Sequence, residues 1–254
     1  MRQLNIENEV ARIVAFIQNK LKSTGFSKTI VGLSGGIDSA LTASLCVKAL
    51  GSQNVYGVMM PYKNSHPDSL GHASLLAQHL NISYQVVDIS LMVDEYFKHY
   101  APDADLLRKG NFMARIRMCT LFDLSAKHQA IVAGTSNKSE LYVGYCTQYG
   151  DSACGFEPIG HLYKTEVKAM SEYLNIPGPI IKKKPTADLW AGQTDEEELG
   201  ITYASLDEIL YQLIDLKKSD QDILMSSVEK HQLELVHKKI RQSEFKRQMP
   251  DMME

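Results

Sequence analysis

The hexapeptide Ser34-Gly35-Gly36-Ile37-Asp38-Ser39 is the stretch best equipped for chemistry. Two adjacent glycines let a backbone turn tightly and bring N–H groups close to an anion. A helix starting there adds free N–H groups and the positive end of its dipole. Ser34 and Ser39 add hydroxyl donors, and Gly32 and Leu33 lead the chain into the turn. The loop follows neither G-x-x-x-x-G-K-[ST] nor G-x-G-x-x-G. It carries an acid, Asp38, and no lysine. A carboxylate beside a polyphosphate makes sense with a cation between them, so Asp38 implies Mg2+. The bland alternative is a glycine turn with Ser39 as an ordinary N-cap.

The surrounding elements must hold this loop. Ile6, Val10, Ile13, Val14 and Ile17 share one helical face. Residues 29–33 read as a buried parallel strand that breaks at the glycines, and an apolar helix follows over residues 39–50. The alternation repeats. Strands are expected at 55–60, 82–89 and 130–133, with helices over 68–80, 91–100, 111–127 and 165–174 and a short strand at 180–181. Strand and helix in alternation predict an α/β fold, a doubly wound, mostly parallel sheet with helices on both faces. Ligands in such sheets sit at the carboxyl ends of the strands. Both Ser34-Gly35-Gly36 and Gly134-Thr135-Ser136 fall there. Residues 182–200, with Pro185, Gly192 and the acidic run Asp195-Glu196-Glu197-Glu198, read as a long mobile loop suited to a lid. The segment from Ser205 onward reads as helical and increasingly polar, and residues 1–254 read as one domain.

Composition sets the outer bounds. The chain has 254 residues, 44% hydrophobic and 22% charged, which allows an ordinary packed core. A net charge of -3 argues against a general nucleic-acid binder. Cys46, Cys119, Cys146 and Cys154 form no C-x-x-C pair, so four reduced thiols in a cytoplasmic protein are expected. The N-terminal stretch lacks the unbroken apolar core of a signal peptide, and no apolar run is long enough for a bilayer. No membrane partner is expected.

The hexapeptide resembles the pyrophosphate-binding loop of the ATP pyrophosphatase superfamily. A second block, GTSNKSELYVGYCTQYGDSACGFEPIGHLYKTE over residues 134–166, resembles the NAD synthetase signature within it. NFMARIRM at 111–118 is similar to that family's N-x-x-A-R-x-R-M helix, and PTADLWAGQTDEEELG at 185–200 to its loop. The four ordered blocks run from Gly32 to Gly200. The resemblance implies an adenine nucleotide alpha hydrolase-like fold and a ligase that amidates deamido-NAD. ATP is the co-substrate, ammonia the nitrogen donor, and an acyl-adenylate the intermediate.

The same resemblance implies residue roles. Gly32 through Ser39, Thr135, Lys164 and Thr186 match ATP contacts. Asp38 and Glu140 match the Mg2+ carboxylates. Arg115, His237 and Lys238 match contacts to deamido-NAD, the last two as a short pair that a plain helix surface would also explain. Gln148 and Gly155 stand where one branch has a lysine and an aspartate that touch deamido-NAD; the pattern here is closer to the glutamine-dependent branch. Lys164 would offset charge on the departing pyrophosphate. Asp151 is the candidate to hold ammonium and accept its proton, with turn capping as its alternative. Trp190 would cover a ring or pack on the protein. A homodimer is implied, with the dinucleotide near the subunit boundary. The chain begins Met1-Arg2-Gln3 and carries no N-terminal cysteine, so free ammonia or a separate glutaminase subunit is expected as the source.

Three rivals remain at this level. GMP synthetase would share the first loop but not the block at 134–166. A tRNA thiolase would want paired reactive cysteines and a basic face. A nucleotide sensor without turnover would lack the acidic pair Asp38 and Glu140.

Overall fold

Four short parallel strands in the order β3-β2-β1-β4 form the centre of the computed structural model. It describes residues 2, 4–190, 192–226, 228–250 and 252–253. Helix α1 (Ile6–Thr24) starts at Asn5, whose side chain accepts from the Asn8 N–H at 3.0 Å, and ends at left-handed Gly25. Strand β1 (Lys28–Gly32) leads into α2 (Ile37–Leu50). Then come β2 (Val55–Met59), α3 (Pro67–His79), β3 (Ser83–Val86), α4 (Ser90–Tyr100), α5 (Leu106–His128) and β4 (Ala130–Ala133). Short helices α6 (Lys138–Val143), α7 (Lys164–Tyr173), α8 (Gly178–Lys182) and α9 (Asp195–Leu199) follow. Helix α10 (Tyr203–Leu210) runs into a π-helical turn, Tyr211–Asp215, and α11 (Asp220–Leu224) and α12 (Lys230–Ser243) complete the helices.

Both faces of the sheet are covered. Ile17, Leu41, Leu45, Leu76, Val167 and Met170 pack α1, α2, α3 and α7 on one face. Ile30, Val58 and Val132 turn to the other face and meet Leu124 of α5. Strands buried on both sides need apolar residues at successive positions, and Ile30 and Val31 are both fully buried. The chain goes from β1 outward to β2 and β3, then returns to place β4 on the other side of β1. The gap beyond β1 and β4 is therefore the topological switch point, where doubly wound sheets bind ligands. A third cluster packs α10 and α12 around Leu206, Ile209 and Val236.

Several boundaries differ from expectation. The expected strand at 180–181 is helix α8, because Gly178 and Pro179 open a helical turn that buries Ile180. Two apolar residues alone do not distinguish strand from helix. The loop at 182–200 contains α9, since acids Asp195 to Glu198 fill a first helical turn, where the dipole favours them. Helix α5 starts at Leu106, with the Asp105 side chain accepting from Arg108 N–H at 2.8 Å. Gly36, not Ser39, is the N-cap of α2. Helix α6 was not expected, although Asn137-Lys138-Ser139-Glu140 is a capping-box pattern. The C-terminal stretch is several helices separated by turns. The cysteines are free, and burial pushes the Cys46 thiol up to about 12. Among the described residues no helix is long and apolar enough to cross a membrane.

Candidate active site

A cleft of about 440 Å³ opens at the carboxyl ends of β1, β2 and β4. Gly32, Leu33, Ser34, Gly36, Ile37, Asp38 and Ser39 line it, together with Thr135, Glu140, Asp151, Lys164 and Thr186. Gly35 lies behind that surface, folded against the backbone of Ser69. Gly36 caps α2 with no side-chain hydrogen bond, so the N–H groups of the first turn stay available to an anion. Serines brace the loop from inside. Ser34 Oγ accepts from Gly36 N–H at 3.2 Å and donates to Ser39 Oγ at 3.1 Å. Ser39 Oγ also donates to the Gly36 carbonyl at 3.0 Å.

One ammonium ties three elements together. Lys164 Nζ, at the start of α7, donates to Asp38 Oδ2 at 2.6 Å and to Glu140 Oε1 at 2.8 Å. Asn137 Nδ2 donates to the second Asp38 oxygen at 2.8 Å, and its own side chain caps α6, which carries Glu140. Lys164 is 7% exposed, so these charges meet away from bulk water. Burial alone would lower the Lys164 pKa; Asp38 and Glu140 outweigh it and hold the ammonium above its ordinary value. The Glu140 pKa is also raised, to about 7, there because burial outweighs the pull of Lys164. We assign the ion-paired form, since a permanent cation at 2.8 Å favours the carboxylate.

Residues given no role in the sequence reading complete this corner. Asp195 accepts from Tyr203 Oη at 3.1 Å and from Tyr145 Oη at 3.0 Å, and it lines the cleft. The Tyr203 ring lies under the Lys164 ammonium at 5.0 Å. Asp207 accepts from Thr165 N–H at 2.9 Å and from the Ser139 hydroxyl, fixing the start of α7 and hence Lys164. Arg117 Nε donates to the Met60 carbonyl at 3.1 Å on the opposite wall. Only the acidic run around Asp195 had drawn notice in the sequence. Tyr203 and Asp207 follow no motif, because their roles depend on α10 packing against α7.

Asp151 lines the cleft and also caps a turn, accepting from Thr147 N–H at 2.7 Å. The turn-capping role of that residue is thus present in the structure, and its carboxylate stands at the cleft. The residues expected to touch the dinucleotide lie outside the cleft lining. Arg115 Nη2 donates to the Gln148 carbonyl at 3.3 Å, and neighbours Ala114, Arg117 and Thr147 do line the cleft. Gly155 packs against β4: its N–H donates to Val132 at 2.9 Å, and a Cβ there would stand 2.4 Å from Ile131. That close contact makes Gly155 part of the wall beside β4. His237 bonds Asp220 at 2.8 Å, and Lys238 is exposed on α12.

The sequence profile of the NAD synthase family matches residues 9–250. An NH(3)-dependent NAD(+) synthetase of Fusobacterium nucleatum is 49% identical over 247 residues, covering 97% of this chain and 95% of its own. The Methanocaldococcus jannaschii protein of the same name is 44% identical, covering 97% and 96%. Among solved structures, an NH3-dependent NAD synthetase from Campylobacter jejuni, in complex with the nitrate ion, shares 36% identity at a TM-score of 0.84, covering 99% of this chain and 100% of that one. An NMN synthetase from Francisella tularensis shares 30% at 0.88, covering 99% of both chains. The doubly wound fold and the resemblance read from the sequence are both borne out. With a matching profile across almost its whole length and relatives at nearly half identity, the chain belongs to the NAD synthase family of ligases.

Proposed function

We propose that the chain amidates deamido-NAD with ammonia in two steps, adenylating the nicotinate carboxylate with ATP and releasing pyrophosphate and then AMP. One observation carries this reading. Asp38 and Glu140, from the first turns of α2 and α6, converge on Lys164 at 2.6 and 2.8 Å beside an uncapped helix start. Such a corner suits a triphosphate. The N–H groups of α2 and the Ser34 and Ser39 hydroxyls bind phosphate oxygens, and Lys164 faces the charge that grows on the leaving pyrophosphate.

The donor set fits Mg2+. Asp38 and Glu140 place two carboxylates on one lysine, hard oxygen ligands of the kind this ion prefers. Asp38 and Glu140 would hold the ion, which when bound would screen the triphosphate from the attacking carboxylate. In the second step neutral ammonia attacks the acyl carbon, the bond to AMP breaks, and one proton must leave the nitrogen. Asp151 accepts it. Residues 182–200 close over the cleft and keep water from the adenylate.

Arg115 and Gln148 flank the cleft and receive deamido-NAD, joined by His237 and Lys238 at a subunit boundary. A homodimer forms there, and the protein works in the cytoplasm on free ammonia or ammonia from a separate glutaminase. A glutamine-dependent NAD+ synthetase from Acinetobacter baumannii, in complex with adenosine diphosphate, aligns with 100% of this chain over 48% of its own length at 30% identity and a TM-score of 0.68. That relation is what motivates testing both nitrogen sources.

The deciding assay supplies ATP, Mg2+ and deamido-NAD with either ammonium or glutamine and follows NAD, AMP and pyrophosphate. NAD with one equivalent each of AMP and pyrophosphate is expected with ammonium. ADP as the product would refute adenylation. Nicotinic acid mononucleotide belongs in the same assay, given the likeness to the Francisella protein; its preferred amidation would move the substrate assignment to a mononucleotide.

A further inference from the structure

Lys183 has a role that the sequence blocks did not give it. It stands just before the 185–200 stretch, lines the cleft, and is half-buried. Its Nζ donates to Ser69 Oγ at 2.8 Å. The Ser69 hydroxyl in turn donates to Asp188 Oδ2 at 2.6 Å, and the other Asp188 oxygen accepts from His66 N–H at 2.8 Å. Asp188 is thus engaged by a hydroxyl and a backbone amide. No direct carboxylate partner for Lys183 occurs among the described residues. An ammonium has three N–H donors, and here one is used.

Its location gives those donors a purpose. The Ser69 carbonyl lies directly on Gly35, where a Cβ would sit 2.2 Å from that oxygen. Lys183 is therefore one residue away from the phosphate loop, and it lines the same cleft as Lys164, which is already held by Asp38 and Glu140. We propose that Lys183 is a second cation of the phosphate site, which binds the β- and γ-phosphates of ATP and then the pyrophosphate formed from them. The proposal rests on the adenylation reading above. Burial lowers the Lys183 pKa, the expected behaviour of an ammonium without a close anion. A phosphate oxygen would supply that anion. Because Lys183 and Asp188 both grip Ser69, phosphate binding at Lys183 would also draw residues 182–200 onto the loop.

The test compares wild type, Lys183→Gln and Lys183→Arg by titration calorimetry with inorganic pyrophosphate in Mg2+ and, separately, with AMP. One charged hydrogen bond is worth about tenfold or more in affinity. Lys183→Gln should weaken pyrophosphate binding by about that factor and raise the KM for ATP in parallel, with AMP binding unchanged. Lys183→Arg should recover most of the loss. Equal weakening of AMP and pyrophosphate would mean that Lys183 only braces the cleft, and unchanged pyrophosphate binding would overturn the assignment outright. Product analysis separates the two levels: a wild type that releases ADP rather than pyrophosphate brings down the adenylation reading, whereas a pyrophosphate-releasing wild type with an indifferent Lys183→Gln brings down only this proposal.

Discussion

Gly35 holds φ at +75°, and a Cβ there would stand 2.2 Å from the Ser69 carbonyl. Both the turn and the contact exclude a side chain. Gly35→Ala should lose at least about a hundredfold in kcat/KM for ATP while keeping its far-ultraviolet dichroism, because the displaced loop is what binds phosphate. Lys164→Gln leaves Asp38 and Glu140 facing each other without their cation. A fall in kcat of about two orders of magnitude is expected, measured at saturating ATP to separate it from weaker binding. Glu157 offers a pH test. It accepts from Ser136 N–H at 3.2 Å, and burial lifts its pKa from an ordinary 4.5 to about 7. Between those values the folded protein keeps a proton that the unfolded chain has released, so stability falls as pH rises through that window and levels off above it. Glu157→Gln removes the burden and should be more stable than wild type at pH 8, by on the order of 2 kcal/mol, and equal to it near pH 4. Urea midpoints at the two pH values decide this; a constant difference between the proteins would contradict it.

At the scale of elements, residues 182–190 and 192–200, the proposed lid, are tied to the rest of the fold. Asp188 joins it to the start of α3, Asp195 N–H donates to the Pro185 carbonyl at 3.1 Å, and Gln193 Oε1 accepts from Leu189 N–H at 2.9 Å. Leu189 and Trp190 rest on α5 at Gly110, where a Cβ would meet them at 3.0 and 3.3 Å. Gly110→Val should push the indole off the helix. A red-shifted Trp190 emission, readable because the chain has one tryptophan, and a raised KM for ATP are expected together. An unchanged spectrum would show that the lid tolerates the extra bulk without moving.

At the scale of the whole molecule, α4 and α5 leave a broad apolar surface. Leu91 is 73% exposed, Tyr100 79% and Leu107 63%. Exposed apolar side chains on these two helices suit an association surface, and the proposed homodimer would cover them. Wild type should sediment as a dimer, and Leu91→Glu with Tyr100→Glu should sediment as a monomer with weakened deamido-NAD binding. A dimer unaffected by both changes would place the interface elsewhere. The sheet order explains why one cleft collects residues so far apart: β4 returns beside β1, and the loops after both strands meet over the switch point.

The amino-acid sequence by itself determined the alternation of strands and helices and the glycine turn between β1 and α2, because these are written in local patterns, apolar runs and a glycine pair; Glu140 was marked only by the family resemblance. Short elements escaped it. Residues 180–181 turned helical and α6 went unseen, since segments of five or six residues take their form from what they pack against. Only the tertiary structure decided that Asp38 and Glu140 share one lysine, that Tyr203 and Asp207 from the C-terminal helices build the wall behind it, and that Gly155 is a packing residue. Those facts depend on long-range approach between elements, and no periodicity within one stretch of chain encodes such a distance.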